Sequence, residues 1–179
     1  MTLPSYTGII VDIVVVLLLI FSFIGGVRGG AIKEIFGLLA FLLSIPLASM
    51  FFKYLLSWFS FVGDSTWRSF LTFLLTMAII IIILYLILWI PRHFLEKVWN
   101  GGFFFGFLGG IFGLLNSALG LVFLVSLFDI YPVFPWIDDI FVTSGVLNWL
   151  VNACGAFIMT LLRSSNLTGL TASISFFAV

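Results

Sequence analysis

One carboxylate stands inside an otherwise uncharged apolar stretch: Asp12, in the run GIIVDIVVVLLLIFSFIGGV from Gly8 to Val27. A charged side chain at membrane depth is costly, so it is expected to reach water, to pair, or to relay a proton or ion. Asp12 falls about one turn after an expected helix start at Gly8. There headgroups are within reach and the helix dipole favours negative charge. Interfacial placement is therefore expected first, a structural pairing second and a relay third. Arg28 cannot be its partner on the same straight helix, because ~1.5 Å per residue puts the two ~24 Å apart. A second pattern is made of small residues. Gly106, Gly109, Gly110, Gly113, Ser117 and Gly120 recur at spacings of three and four, with Asn116 beside them. Such stripes let helices approach closely in lipid, so the expected role is internal helix packing, with a homo-oligomer or pore seam as the sharper alternative. A third pattern, Ser144, Asn148 and Asn152, repeats every four residues and would form a polar stripe on one helix face.

Little else could do chemistry. Cys154 has no second cysteine to pair with and reads as a small packed hydrophobe. His93 is also alone, at the polar end of an apolar run, and reads as a solvated interfacial side chain. The zinc signature HExxH, the phosphate-binding GxxxxGK, CxxC and the nucleophile elbow GxSxG are all absent. No paired acid and base, or nucleophile and base, can be placed at one depth. The expectation is a protein that is not an enzyme, with no cofactor, no metal site and no catalytic residues.

The elements that must position these residues follow from composition. Hydrophobic residues make up 63% of the 179 and charged residues 8%, against roughly a quarter charged in soluble domains. So few polar side chains cannot cover the apolar surface, and lipid is the solvent. Seven basic residues balance seven acidic ones, which gives no basic excess for nucleic acid and no tract for anionic lipid. Four runs reach the ~20 residues that cross ~30 Å of hydrocarbon. They are expected at 8–27, 31–52, 69–91 and 104–128, a four-span membrane domain over residues 1–128. Residues 129–179 are expected to hold an acidic loop, DIYPVFPWIDD, then an amphipathic helix over 140–162 lying on the membrane rather than crossing it, then a polar tail. In lipid every backbone amide needs an internal partner, and the ten-residue alternation of a β-barrel is missing. The fold class is therefore an all-α polytopic membrane protein with four transmembrane helices plus interfacial amphipathic helices.

Details of the connections refine this. The first run lacks a basic start and a small-residue cleavage site, so it reads as a retained helix rather than a secretory signal. GGVRGGAIKE reads as a tight helical hairpin, its glycines free to adopt positive φ and Glu34 in the first turn of the second helix. YLLSWFSFVG is too short to span and rich in interfacial aromatics. In PRHFLEKVWNGG, Arg92 precedes Glu96 by four and His93 precedes Lys97 by four, the spacing of a helical extension into water. Pro46 is expected to kink the second helix, and the third run, with Ile79 to Ile83, reads as lipid-facing. The first and third connections hold Arg28, Lys33, Arg92 and Lys97, while the second holds Lys53 and Arg68. Positive charge favours the cytoplasm, which puts the N-terminus on the extracytoplasmic side.

Asp12, followed by GGVRGGAIKEIFGLLAFLLSI and a Gly-rich last span FGFLGGIFGLLNSALGLV, resembles the colicin V production protein family of bacterial inner-membrane proteins. The resemblance covers roughly residues 8–128 and is most specific at Asp12, Arg28-Gly29, Glu34 and Gly37. At Asn116-Ser117 an arginine-glycine or lysine-glycine pair would be expected instead. The resemblance implies a multi-pass inner-membrane protein tied to colicin V production or export and to envelope homeostasis. Its candidate functional residues are Asp12, Arg28, Gly29 and Glu34, and it implies no catalytic activity. Expected partners are the lipid bilayer and envelope or secretion proteins, with a homo-oligomer open and nucleic acid excluded. A small oligomeric channel or transporter is the rival expectation.

Overall fold

A backbone amide in hydrocarbon has no water to bond to, so each apolar run closes its own hydrogen bonds as a helix. The computed structural model describes residues 6–56, 58, 65–98, 102–131 and 143–164. Those residues form five helices and no strand: α1 (Tyr6–Gly29), α2 (Ala31–Leu56), α3 (Ser65–Val98), α4 (Phe103–Ile130) and α5 (Gly145–Ser164). The first four are long and apolar enough to cross a membrane, over Thr7–Gly29, Ala31–Leu56, Thr66–Leu95 and Phe103–Ile130. Each runs a few residues beyond the apolar core that marks it in the sequence. α3 continues as helix through Pro91 to Val98, so the PRHFLEK segment extends the third span. Pro46 lies inside an unbroken α2. The aromatic segment around 57–64, the acidic loop after Tyr131 and the tail beyond Ser164 lie outside the described residues.

The four long helices alternate in direction. α1 and α2 are joined by a single residue, Gly30, at φ +80°, where an L side chain would be strained. Its amide donates to the Gly26 carbonyl at 2.9 Å and closes the end of α1. α1 then packs along α4, and α2 along α3 and α4. Ring contacts record the register: Phe52 meets Phe73, Phe41 meets Phe123, and Phe70 meets Phe128. The bundle has two unlike ends, named here the hairpin end, holding Gly30, and the cap end, holding the start of α1 and α5.

The apolar core is concentrated toward the cap end. It takes Val15 from α1, Ile45, Ala48 and Phe52 from α2, Phe70 to Ile80 from α3, Ala118 to Leu127 from α4, and Leu147, Leu150 and Ile158 from α5. α3 is thus divided. Its first half is core and includes Ile80, whereas none of its side chains from Ile81 to Leu95 is buried. Hydroxyls inside this core bond back to their own helices: Ser44 to Phe41, Thr72 to Arg68, Thr76 to Thr72 and Ser126 to Val122, all at 2.6–2.8 Å to carbonyl oxygens. That local bonding lets small polar residues fill an apolar interior without a stranded group.

Candidate functional site: a carboxylate that caps α5

α1 meets the rest of the protein along one stripe: Gly8, Asp12, Val15, Leu19, Ser22 and Gly26, spaced alternately four and three. Between these positions Ile9, Ile10, Ile13, Val14, Leu17, Ile20 and Phe21 are exposed, as a lipid-facing surface must be. The stripe therefore fixes which way Asp12 points.

It points at the start of α5. Ser144 immediately precedes that helix and is buried, with 1% of its surface exposed. Its carbonyl accepts the Asn148 amide at 3.2 Å, and its Oγ accepts the Leu147 N–H at 3.2 Å, which is the geometry of an N-cap. The Ser144 hydroxyl in turn donates to Asp12 Oδ1 at 2.5 Å, and the Val146 N–H donates to the same oxygen at 3.0 Å. One carboxylate thus joins a capping hydroxyl and a first-turn amide 132 residues or more away. The other oxygen lies beside Gly145, where a β-carbon would make ordinary contact with it at 3.7 Å. One turn earlier on α1, the absent side chain of Gly8 admits the Thr143 carbonyl in close contact. Negative charge at a helix N-terminus is stabilised by the unpaired amides and the dipole, and charge-assisted bonds are about twice as strong as neutral ones. The carboxylate is paired with a helix end rather than with a basic side chain.

α5 lies with its apolar side on α4, α1 and α2. Leu147, Leu150 and Ile158 enter the core, and Cys154 packs beside them. Asn148 and Asn152 are exposed and bonded to each other, Nδ2 of Asn152 donating to Oδ1 of Asn148 at 3.3 Å. The Ser144, Asn148, Asn152 series therefore divides. Ser144 is a buried cap before the helix, and only the asparagines form an exposed polar edge. Trp149 and Phe157 occupy the opposite exposed edge.

At the hairpin end the other candidates gather around Gly29. Arg28 is exposed in the last turn of α1. A β-carbon on Gly29 would lie 3.1 Å from Lys33 Cδ and 3.2 Å from Glu34 Oε1, so both side chains fold back over the end of α1. Glu34 occupies the first turn of α2, where its charge suits the dipole. These groups are at the opposite end of α1 from Asp12, and the structure does not bring them together with it.

The small-residue stripe of α4 has its counterpart on α1. Gly109 and Gly26 touch backbone to backbone, a β-carbon on Gly113 would lie 2.7 Å from the Ser22 carbonyl oxygen, and one on Gly110 would lie 2.6 Å from the Phe23 ring. Gly106 faces Val27, and the Ser117 and Ser22 hydroxyls are hydrogen-bonded to each other. Gly120 is different, with nothing within 4 Å of a β-carbon built there. Five of the six stripe residues are thus engaged within the chain. Ser22-x-x-x-Gly26 marks α1 as a second close-packing face without naming its partner, and Ser144 ahead of an apolar helix could have been read as an N-cap. His93 is exposed and stacks on Trp89. Among the described residues no group of three His, Cys, Asp or Glu could hold a metal ion.

Four helices able to span a membrane, the first and fourth joined along a glycine seam, with a fifth helix capped by a carboxylate of the first, define a multi-pass helical membrane protein. The family model described as Colicin V production protein matches residues 11–170, which include both Asp12 and Ser144, and the chain belongs to that family. No curated protein and no solved structure matches it.

Proposed function

We propose that the protein is a non-enzymatic accessory protein of the bacterial cytoplasmic membrane that supports peptide-toxin production or export, and envelope homeostasis, through contacts with other envelope components. The observation that carries this reading is the use made of Asp12. The ionisable group that would be the first choice for a relay already accepts a hydroxyl and a backbone amide from α5. The rival channel reading loses its second support as well, because the α4 glycines are packed against α1. Among the described residues, the exposed asparagine edge of α5, with Asn148 and Asn152, and the charged hairpin are offered to partners. The basic residues of the first and third connections favour a cytoplasmic hairpin and an extracytoplasmic N-terminus. α5 would then lie at the outer face, its asparagines toward water and its aromatics toward lipid.

Reconstitution into liposomes tests the reading. The accessory role expects no ion flux above that of empty vesicles, and flux that Asp12→Asn abolishes would sink it. A cysteine at position 30 is expected to be labelled only from the cytoplasm.

A further inference from the structure

Tyr85 and Asn116 are hydrogen-bonding residues within the spanning parts of α3 and α4. Gly37 of α2 brings them to one point. A β-carbon on Gly37 would lie 3.1 Å from Tyr85 Oη and 3.8 Å from Asn116 Nδ2. Neither side chain hydrogen-bonds to another described residue. Gly37 itself is buried, Asn116 half-buried and Tyr85 exposed, so the point is covered on the α2 side and open on another.

The opening follows from the divided α3. Toward the cap end α3 and α4 touch through Phe70 on Phe128 and Phe73 on Phe123. Toward the hairpin end no ring contact joins them among the described residues, and Tyr85 reaches Gly37 of α2 from a segment without a buried side chain. Depth follows from the α1/α4 seam. A β-carbon on Gly109 would lie 2.8 Å from the Ala31 nitrogen, so those residues share a level. Gly37 and Asn116 lie six and seven residues further along their helices, which is about 10 Å deeper at ~1.5 Å per residue.

We propose that Gly37, Tyr85 and Asn116 form a lateral recess that takes an amphiphile with an apolar chain and an uncharged hydroxyl or carboxamide head. A polar group left unpaired in hydrocarbon is costly, so the phenol and the amide call for a partner. Together they offer donors and acceptors but no charge, which suits a neutral head and neither a phosphate nor an ammonium. About 10 Å below the hairpin, a charged headgroup would also lose its water. Half-buried Ile81 and Leu88, one turn either side of Tyr85, and Phe112, one turn before Asn116, supply the wall for the chain. This inference is independent of the accessory role.

Photolabelling of the full chain in phosphatidylcholine nanodiscs provides the test, with a diazirine-bearing dodecanol compared against the matching diazirine dodecane. The recess predicts alcohol labelling near residues 37, 85 and 116 about tenfold above the hydrocarbon, the preference that two membrane hydrogen bonds of several-fold each supply. The double variant Tyr85→Phe, Asn116→Leu, with unchanged helicity, should lower the alcohol to the hydrocarbon level. Equal labelling of the wild type by both probes overturns the proposal whatever the variant does. It would mean that only water or bulk lipid meets these groups. A preference that survives in the double variant overturns it equally.

Discussion

Replacing Asp12 is expected to loosen the start of α5 while leaving the four long helices in place. Asp12→Ala removes an acceptor that holds the Ser144 hydroxyl at 2.5 Å and the Val146 amide at 3.0 Å. The Ser144 hydroxyl and the Val146 amide then lose their charged acceptor, whereas the Ser144 cap on Leu147 survives, so the first turn of α5 is loosened rather than lost. Asp12→Asn keeps an acceptor oxygen and loses the charge, which weakens both bonds and the interaction with the helix dipole without removing them. Hydrogen–deuterium exchange of residues 146–152 in nanodiscs reads this directly. Asp12→Ala should speed exchange there by about tenfold or more, and Asp12→Asn by a smaller factor. Peptides from α2 and α3 should not change. Ser144→Ala should couple non-additively with Asp12→Ala, because the two side chains share a bond. Unchanged protection of α5 in Asp12→Ala would refute the reasoning, since the carboxylate would then hold nothing.

The α1/α4 seam predicts a sharp contrast between glycines: Gly26→Val, facing the Gly109 backbone, should destabilise the bundle by about 3 kcal/mol in a denaturant titration. Gly120→Ala, with open space around it, should be neutral or slightly stabilising through helix propensity. At the hairpin, Gly30→Ala puts a side chain at φ +80° and should cost about 1 kcal/mol in the same assay. Burial of the Tyr131 ring among Phe70 and Phe73, just beyond the fourth span, pushes its phenol from 10.0 up to about 12. A raised value means stability that is complete below pH 10 and is lost as pH rises toward 12. The loss should approach about 2–3 kcal/mol. Tyr131→Phe should flatten that part of the pH profile, as followed by thermal unfolding in detergent.

The four spans were legible because the requirement that lipid imposes is local: enough consecutive apolar residues, with internally bonded backbone. The hairpin was legible for the same reason, since only glycine suits the conformation at position 30. Partners were not legible. The stripe from Gly106 to Ser117 announced close packing, yet nothing local says that its partner is Ser22 and Gly26 rather than another copy of the chain. Asp12 was visible as an anomaly, and its two bonds cross 132 residues or more to a helix whose own cap, Ser144, first reads as part of a polar stripe. α3 shows the converse error. Ile79 to Ile83 looks lipid-facing, but Ile80 is buried, because the packed half of α3 reaches that far. Tyr85 gives no signal until Gly37 places it.

The central claim is that Asp12 is bound to the N-terminus of α5, and a dipolar distance measurement tests it most directly. With the Asp12 carboxyl carbon labelled with carbon-13 and the Val146 amide with nitrogen-15, solid-state magnetic resonance of the protein in bilayers reports their separation. The 3.0 Å contact from oxygen to nitrogen, lengthened by one carbon–oxygen bond, predicts about 4 Å. Dephasing at that distance is the expected result, and no measurable coupling in the folded protein would contradict the account.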